Sequence, residues 1–147
     1  MHGDYKKALL NHPDKLLSTV LVLVAIHSLV MGLTLIAQPA VLMEFAGFSP
    51  DCEHFFPAQG GVFHLLMFVV YLMGATHIEK YHYFIVFSIF VKAVATFFLT
   101  IFCFTVEFKW IVFSSGIADC VMGLMIFWAF QYYLRSKKSS TLGIKNE

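Results

Sequence analysis

Charge is what this chain has least of. Asp, Glu, Lys and Arg make up 13% of its 147 residues, against 59% hydrophobic ones, a balance far from that of soluble domains. The shortage argues against a soluble enzyme or binding domain. A net charge of +1 gives no basic surface for nucleic acid. Cysteine is scarce too: there are three, none in a Cys-x-x-Cys pair. A thiol–disulfide enzyme is therefore disfavoured, and without Cys-x-x-Cys-His there is no site for covalent haem attachment. No nucleophile with a positioned base can be read, so no catalytic residue is assigned and an activity of the chain on its own is not expected. Linkers and low-complexity segments are missing apart from a polar stretch at 136–147, read as a mobile tail.

What is present in quantity is long apolar sequence. Runs at 16–37, 58–76, 83–105 and 110–134 each reach the roughly 20 residues that cross a hydrocarbon core of about 30 Å. The expected fold is all-α: one integral membrane domain over 1–147, a bundle of four transmembrane helices at about 13–37, 57–76, 81–105 and 109–134. The first run follows a short basic segment, as a secretory signal would. Its length and the lack of a small-x-small cleavage site predict a retained helix instead.

Basic residues set the expected orientation. Lys6, Lys7 and Lys15 precede the first helix, Lys80 lies in the second loop, and Arg135, Lys137, Lys138 and Lys145 follow the fourth. On the other side stands only Lys109, while Glu44, Asp51 and Glu53 make the first loop acidic. The positive-inside rule then places both termini in the cytoplasm. Tyr81, Tyr83, Trp128, Tyr132 and Tyr133 mark the inner interface, and Phe55, Phe56 and Trp110 the outer one.

Local signals refine the ends. Asn11 or His12 can cap a helix with Pro13 at its first position and Asp14 facing its positive end, and residues 4–10 read as a short interfacial helix. Pro39 ends helix one; residues 40–46 suit a turn or two of helix stopped by Gly47, and Ser49, Pro50, Asp51 and Glu53 read as a second short start. The loop at 38–57 should thus be a short helical cap over the outer mouth. Asp51, Cys52, Glu53 and His54 could attract a divalent ion, but adjacent residues seldom converge on one metal, and helix-start charges explain the carboxylates. No metal is assigned.

Each span carries one ionisable side chain near mid-depth: His27, His64, Lys92 and Asp119. Such groups are costly in hydrocarbon and usually face a bundle interior and pair. Gly116, Asp119, Cys120 and Gly123 form one stripe, and Ser88, Lys92, Ala95, Thr96 and Leu99 another, so close helix approach brings Lys92 to Asp119. Counting from their short loop puts Lys92 about 6 Å deeper, a gap its stem covers. His27 shares a face with Met31 and Thr34, and His64 with Gly60, Met67 and Phe68. Hydrogen-bonded packing is the commoner fate of such histidines, yet His27, His64, Met31 and Met67 are also candidate cofactor residues, because His and Met ligate haem and His can line a quinone site. The 17 Phe and seven Met otherwise read as lipid-facing or core surface.

The end of helix one from Gly32 to Pro39, the Phe-Ala-Gly-Phe segment at 45–48, Gln59 before Gly60, a basic Lys92 and an acidic Asp119 together resemble the DoxX-like superfamily of small bacterial four-helix membrane proteins. The resemblance runs over nearly the whole chain. It departs at Gln59, where many such proteins carry arginine. It implies a four-helix bundle in the bacterial inner membrane, in some relatives a membrane subunit associated with quinone-linked oxidoreductases, and it supplies no catalytic residue. Other small bundles fit worse: neither an arginine-rich helical motif nor paired cysteines are present.

The expectation is thus an accessory subunit or lipophilic-ligand-binding module in a larger assembly, with Lys92, Asp119, His27, His64 and Gln59 as its buried polar centre. Its partners would be membrane lipids and other integral membrane subunits or a second copy, met through Phe-rich helix faces. A haem- or quinone-binding subunit and a small proton-coupled transporter, with Asp119 titrating against Lys92, are the alternatives.

Overall fold

A computed structural model describes residues 12–48 and 54–143. It is built of α1 (Pro13–Ala37), α2 (Ala40–Phe45), α3 (Phe55–Thr76), α4 (His82–Thr105) and α5 (Trp110–Gly143), with no strand among the described residues. Four of the five, α2 excepted, are long and apolar enough to cross a membrane. They run up and down, the first connection carrying α2 and the other two being short. α1 packs on α3 and α4 on α5, and the two hairpins join through α1 with α5 and α3 with α4 to close a four-membered ring. The all-α four-helix bundle expected from the sequence is what forms.

Small residues at the contacts draw the helices together, since burying apolar surface drives little association in lipid. α1 buries Leu17, Val20, Leu21, Val24, Ala25, Ser28 and Gly32, a stripe at helical spacing. Gly32 of α1 and Gly61 of α3 make a close crossing: a Cβ on Gly61 would fall 2.7 Å from the Gly32 carbonyl oxygen, and one on Gly32 would fall 3.0 Å from that of Gly61. Toward the inner ends Ser18 Oγ donates to the Ala75 carbonyl at 2.9 Å. The core continues through Met67, Tyr71, Ile85, Ile126 and Phe130. Outward the helices present Phe87, Phe90, Phe97, Phe98 and Phe104 on α4 and Ile117, Val121 and Leu124 on α5, the surface a bilayer covers.

Helix ends follow their sequence signals. Pro13 occupies the first turn of α1 with Asp14 beside it, while His12 makes no side-chain cap. The expected outer helical turn is α2, and Gly47 stops it with φ at 82°. Its amide bonds the Glu44 carbonyl at 2.9 Å, and that of Phe48 bonds Met43 at 2.9 Å, a left-handed glycine stop. At the end of α2 Phe45 meets Trp110 edge-to-face at 5.2 Å, and Lys109 lies over the Phe48 ring at 4.6 Å. The expected helix at 4–10, a cap by Asn11, and the expected start at Ser49 through Glu53 lie outside the described residues.

Two expectations about the ends are corrected. α3 starts at Phe55 rather than 57. The stretch from Ser136 is no tail through Gly143, because α5 continues across it. Lys137 Nζ donates to Glu79 Oε1 at 2.6 Å and the Tyr133 hydroxyl to the same oxygen at 3.4 Å, fastening the extension to the α3–α4 turn. Lys137 and Lys138 also suit a helix C-terminal half. The Lys137 hydrogen bond holds the Glu79 carboxyl below the usual carboxylate range.

Candidate functional site

The centre of the molecule is an ion pair between α4 and α5. Lys92 Nζ donates to Asp119 Oδ1, with 3% of Lys92 and 8% of Asp119 exposed. Gly123, one turn beyond Asp119, provides the space: a Cβ there would press on Lys92 Cβ at 3.0 Å. The Lys92 ammonium also lies over the Tyr71 ring of α3, 5.8 Å from its centroid, a cation–π approach in a desolvated setting. Thr96 Oγ1 donates to the Lys92 carbonyl at 2.8 Å and Ser88 Oγ to that of Phe84 at 2.7 Å. The expected facing of Lys92 and Asp119 therefore forms. The glycine spacing on α5 had signalled it.

The histidines stand beside this pair. By helix rise, His27, His64 and Asp119 all lie roughly 14–15 Å from the helix ends on the α2 side of the bundle. Both imidazoles are half-buried, feel the charges of Lys92 and Asp119, and His64 also feels His27. Neither has a hydrogen-bond partner among the described residues, so the expected hydrogen bonds do not form. Ser28, adjacent to His27, is 1% exposed and its hydroxyl is likewise unpaired. Elsewhere in these helices Ser88, Thr96, Ser114 and Ser115 all bond back to the carbonyl one turn earlier.

One expected member of the centre, Gln59, falls elsewhere. Gln59 is exposed, because it sits in the first turns of α3 on the side away from the Gly61 crossing. Cys120 follows Asp119 in sequence but rotates to the outside and is exposed. Met67 packs in the apolar core and Met31 is half-buried. The histidines do not fit a haem between them: one turn away the α1 and α3 backbones touch at Gly32 and Gly61, which leaves no width for a porphyrin between these helices. Among the described residues no three His, Cys, Asp or Glu side chains gather as a metal site. Asp51, Cys52 and Glu53 lie outside the described residues, and His54 is committed elsewhere.

That commitment had no sequence signal beyond residue type. Gln38 closes α1 with φ at 44°, an uncommon conformation for a residue with a Cβ. Its Nε2 donates to the His54 carbonyl at 2.7 Å, and His54 Nδ1 donates to Gln38 Oε1 at 2.6 Å. The reciprocal bonds hold the outer ends of α1 and α3 together.

Beside the ion pair, a groove of about 260 Å³ opens between α4 and α5. Ile89, Ala93, Phe97, Leu124 and Phe127 form its apolar walls, and Lys92, Asp119, Thr96 and Cys120 line it as well with their polar atoms almost wholly covered. Phe97, Leu124 and Phe127 are exposed outward, so the groove faces the lipid. Sequence spacing located the two charges but not the groove, which depends on the rotation of α5 that also turns Cys120 out. A wider cavity of about 880 Å³ lies at the opposite end of the bundle, among Asp14, Lys15, Ser18, Thr76, Glu79 and Tyr133.

The fold and site define a small four-helix membrane protein with a buried lysine–aspartate pair. No family model, no curated protein and no solved structure matches the chain.

Proposed function

We propose that this protein is a small integral membrane module that takes a lipophilic molecule from the bilayer into the α4–α5 groove and anchors its polar end at Lys92 and Asp119. The observation that carries this reading is the groove: an apolar cleft open to lipid whose floor is the one buried ion pair among the described residues. Ligand sites typically combine mostly apolar walls with a few placed polar groups. A buried pair kept only for stability has no need of an opening beside it. An apolar replacement of similar volume is often as stable.

The DoxX-like resemblance belongs to the same proposal, with the bacterial inner membrane as location, both termini in the cytoplasm, and a larger membrane assembly as the working form. The Phe-rich outer face of α4 is the surface that would meet a second subunit or a second copy. In this reading the chain binds and presents a ligand, and catalysis belongs to its partners.

The test separates anchoring from folding. The double substitution Lys92→Met with Asp119→Leu removes both charges without orphaning either, so the helical signal and melting temperature in detergent should stay near wild type. Mass spectrometry of extracted lipids should show an amphipathic molecule retained by wild type and lost from the double variant. Equal retention by a folded double variant would contradict the proposal.

A further inference from the structure

The cavity of about 880 Å³ at the end of the bundle away from α2 falls in the size range of small-molecule sites, about 300–1,000 Å³, and the proposed groove makes no use of it. One hydrogen bond sets its frame: Ser18 Oγ donates to the Ala75 carbonyl at 2.9 Å, holding the first turns of α1 against the last turn of α3. Lys15 stands one turn before Ser18 on the same side of α1. The turn after α3, closed by the Tyr81 amide on the His77 carbonyl at 2.9 Å, brings Lys80 to the same cavity. Both lysines are exposed, and neither forms an ion pair among the described residues. Of the two carboxylates on the walls, Glu79 is matched by Lys137 at 2.6 Å. Asp14 alone is left to balance the two lysines, so the walls carry a surplus of positive charge.

We infer that this cavity seats the head of an anionic phospholipid, its phosphodiester between Lys15 and Lys80. The site is separate from Lys92 and Asp119 and goes beyond the groove reading. Charge selects the head: phosphatidylglycerol brings a single negative charge and neutralises the surplus, whereas zwitterionic phosphatidylcholine leaves it standing. The apolar surface beside the cavity favours a lipid over a soluble phosphate. Val22 and Ile26 follow Lys15 on one face of α1, seven and eleven residues on, and both are exposed, so an acyl chain continues from the head along them. In the orientation proposed above this end meets the cytoplasmic leaflet, where anionic lipids attract basic side chains.

Native mass spectrometry of the full chain in detergent, with dioleoyl phosphatidylglycerol or dioleoyl phosphatidylcholine added, provides the test. Wild type should retain the glycerol lipid about tenfold better than the choline lipid. That preference should vanish in the Lys15→Gln, Lys80→Gln variant and persist in Lys138→Gln, which changes an exposed lysine of α5 that does not line the cavity. Phosphatidylglycerol with a diazirine near the start of an acyl chain should label Val22 or Ile26. Equal retention of the two lipids would overturn the proposal, and so would a loss of preference in Lys138→Gln as large as in the paired variant, which would make the effect a diffuse one of the basic end. Displacement of the lipid by inorganic phosphate or glycerol 3-phosphate at comparable concentration would assign the cavity to a soluble anion instead. Each of these failures leaves the groove reading standing.

Discussion

At the scale of single residues, Lys92 is held by geometry that few side chains could share. The contact of Gly123 with its stem means that Gly123→Leu should drive Lys92 off Asp119. The expected result is a loss of about 1–3 kcal/mol from overpacking, larger if the pair opens, read as a lower melting temperature in detergent. Gly60→Leu meets little, since a Cβ there lies 3.9 Å from Leu35, and serves as the control. The pair was legible beforehand because glycine spacing and opposite charge coincided on adjacent helices. Gln59 was misplaced because helical stripes are wide, and a residue next to a buried one can still turn outward, as Cys120 does beside Asp119. Tyr71, whose ring faces the ammonium from a third helix, carries no charge and sits in an apolar run, so nothing in the sequence singled it out.

Among the elements, two joints hold different parts of the bundle. At the α1–α3 crossing, Gly61→Val would meet the Gly32 backbone and Ile36, and backbone cannot give way as a flexible side chain does. Faster proteolysis of α1 is expected, together with a stability loss at the upper end of the overpacking range, about 3 kcal/mol. The α5 extension is a separate case. Glu79 has its carboxyl pKa depressed by Lys137, so its contribution is present above the unfolded carboxylate pKa of about 4.3 and fades as pH falls through the lower folded value. Hydrogen exchange in residues 136–143 should accelerate in Glu79→Gln at neutral pH and, in wild type, only under acid conditions. Equal protection in both proteins would show that the extension stands without the bond. The polar composition of that stretch read as tail because helix continuation there depends on a partner 58 positions away, beyond the reach of any local signal.

The whole molecule was the most readable level, since bilayer thickness dictates span length and four apolar runs leave few alternatives. Orientation rests on the distribution of charged and aromatic residues between the two ends. It predicts that a single cysteine placed at Lys80 in a cysteine-free background reacts with a membrane-impermeant maleimide only after cells are opened, and that one at Lys109 reacts in intact cells; the reverse pattern would invert the topology. Function was far less legible, because it depends on helix rotation: turning α5 to bury Asp119 is what forms the groove and brings the lipid-facing Phe127 to its wall. Lys92 and Asp119 are buried as mutual counter-ions between α4 and α5, and the site depends on that pairing. Its most direct test is a double-mutant cycle by reversible unfolding in micelles. Lys92→Met and Asp119→Leu should each cost about 3–5 kcal/mol alone by leaving one charge without its partner, and together should fall within about 1 kcal/mol of wild type. Single losses that simply add in the double variant would contradict the pair, and with it the site built upon it.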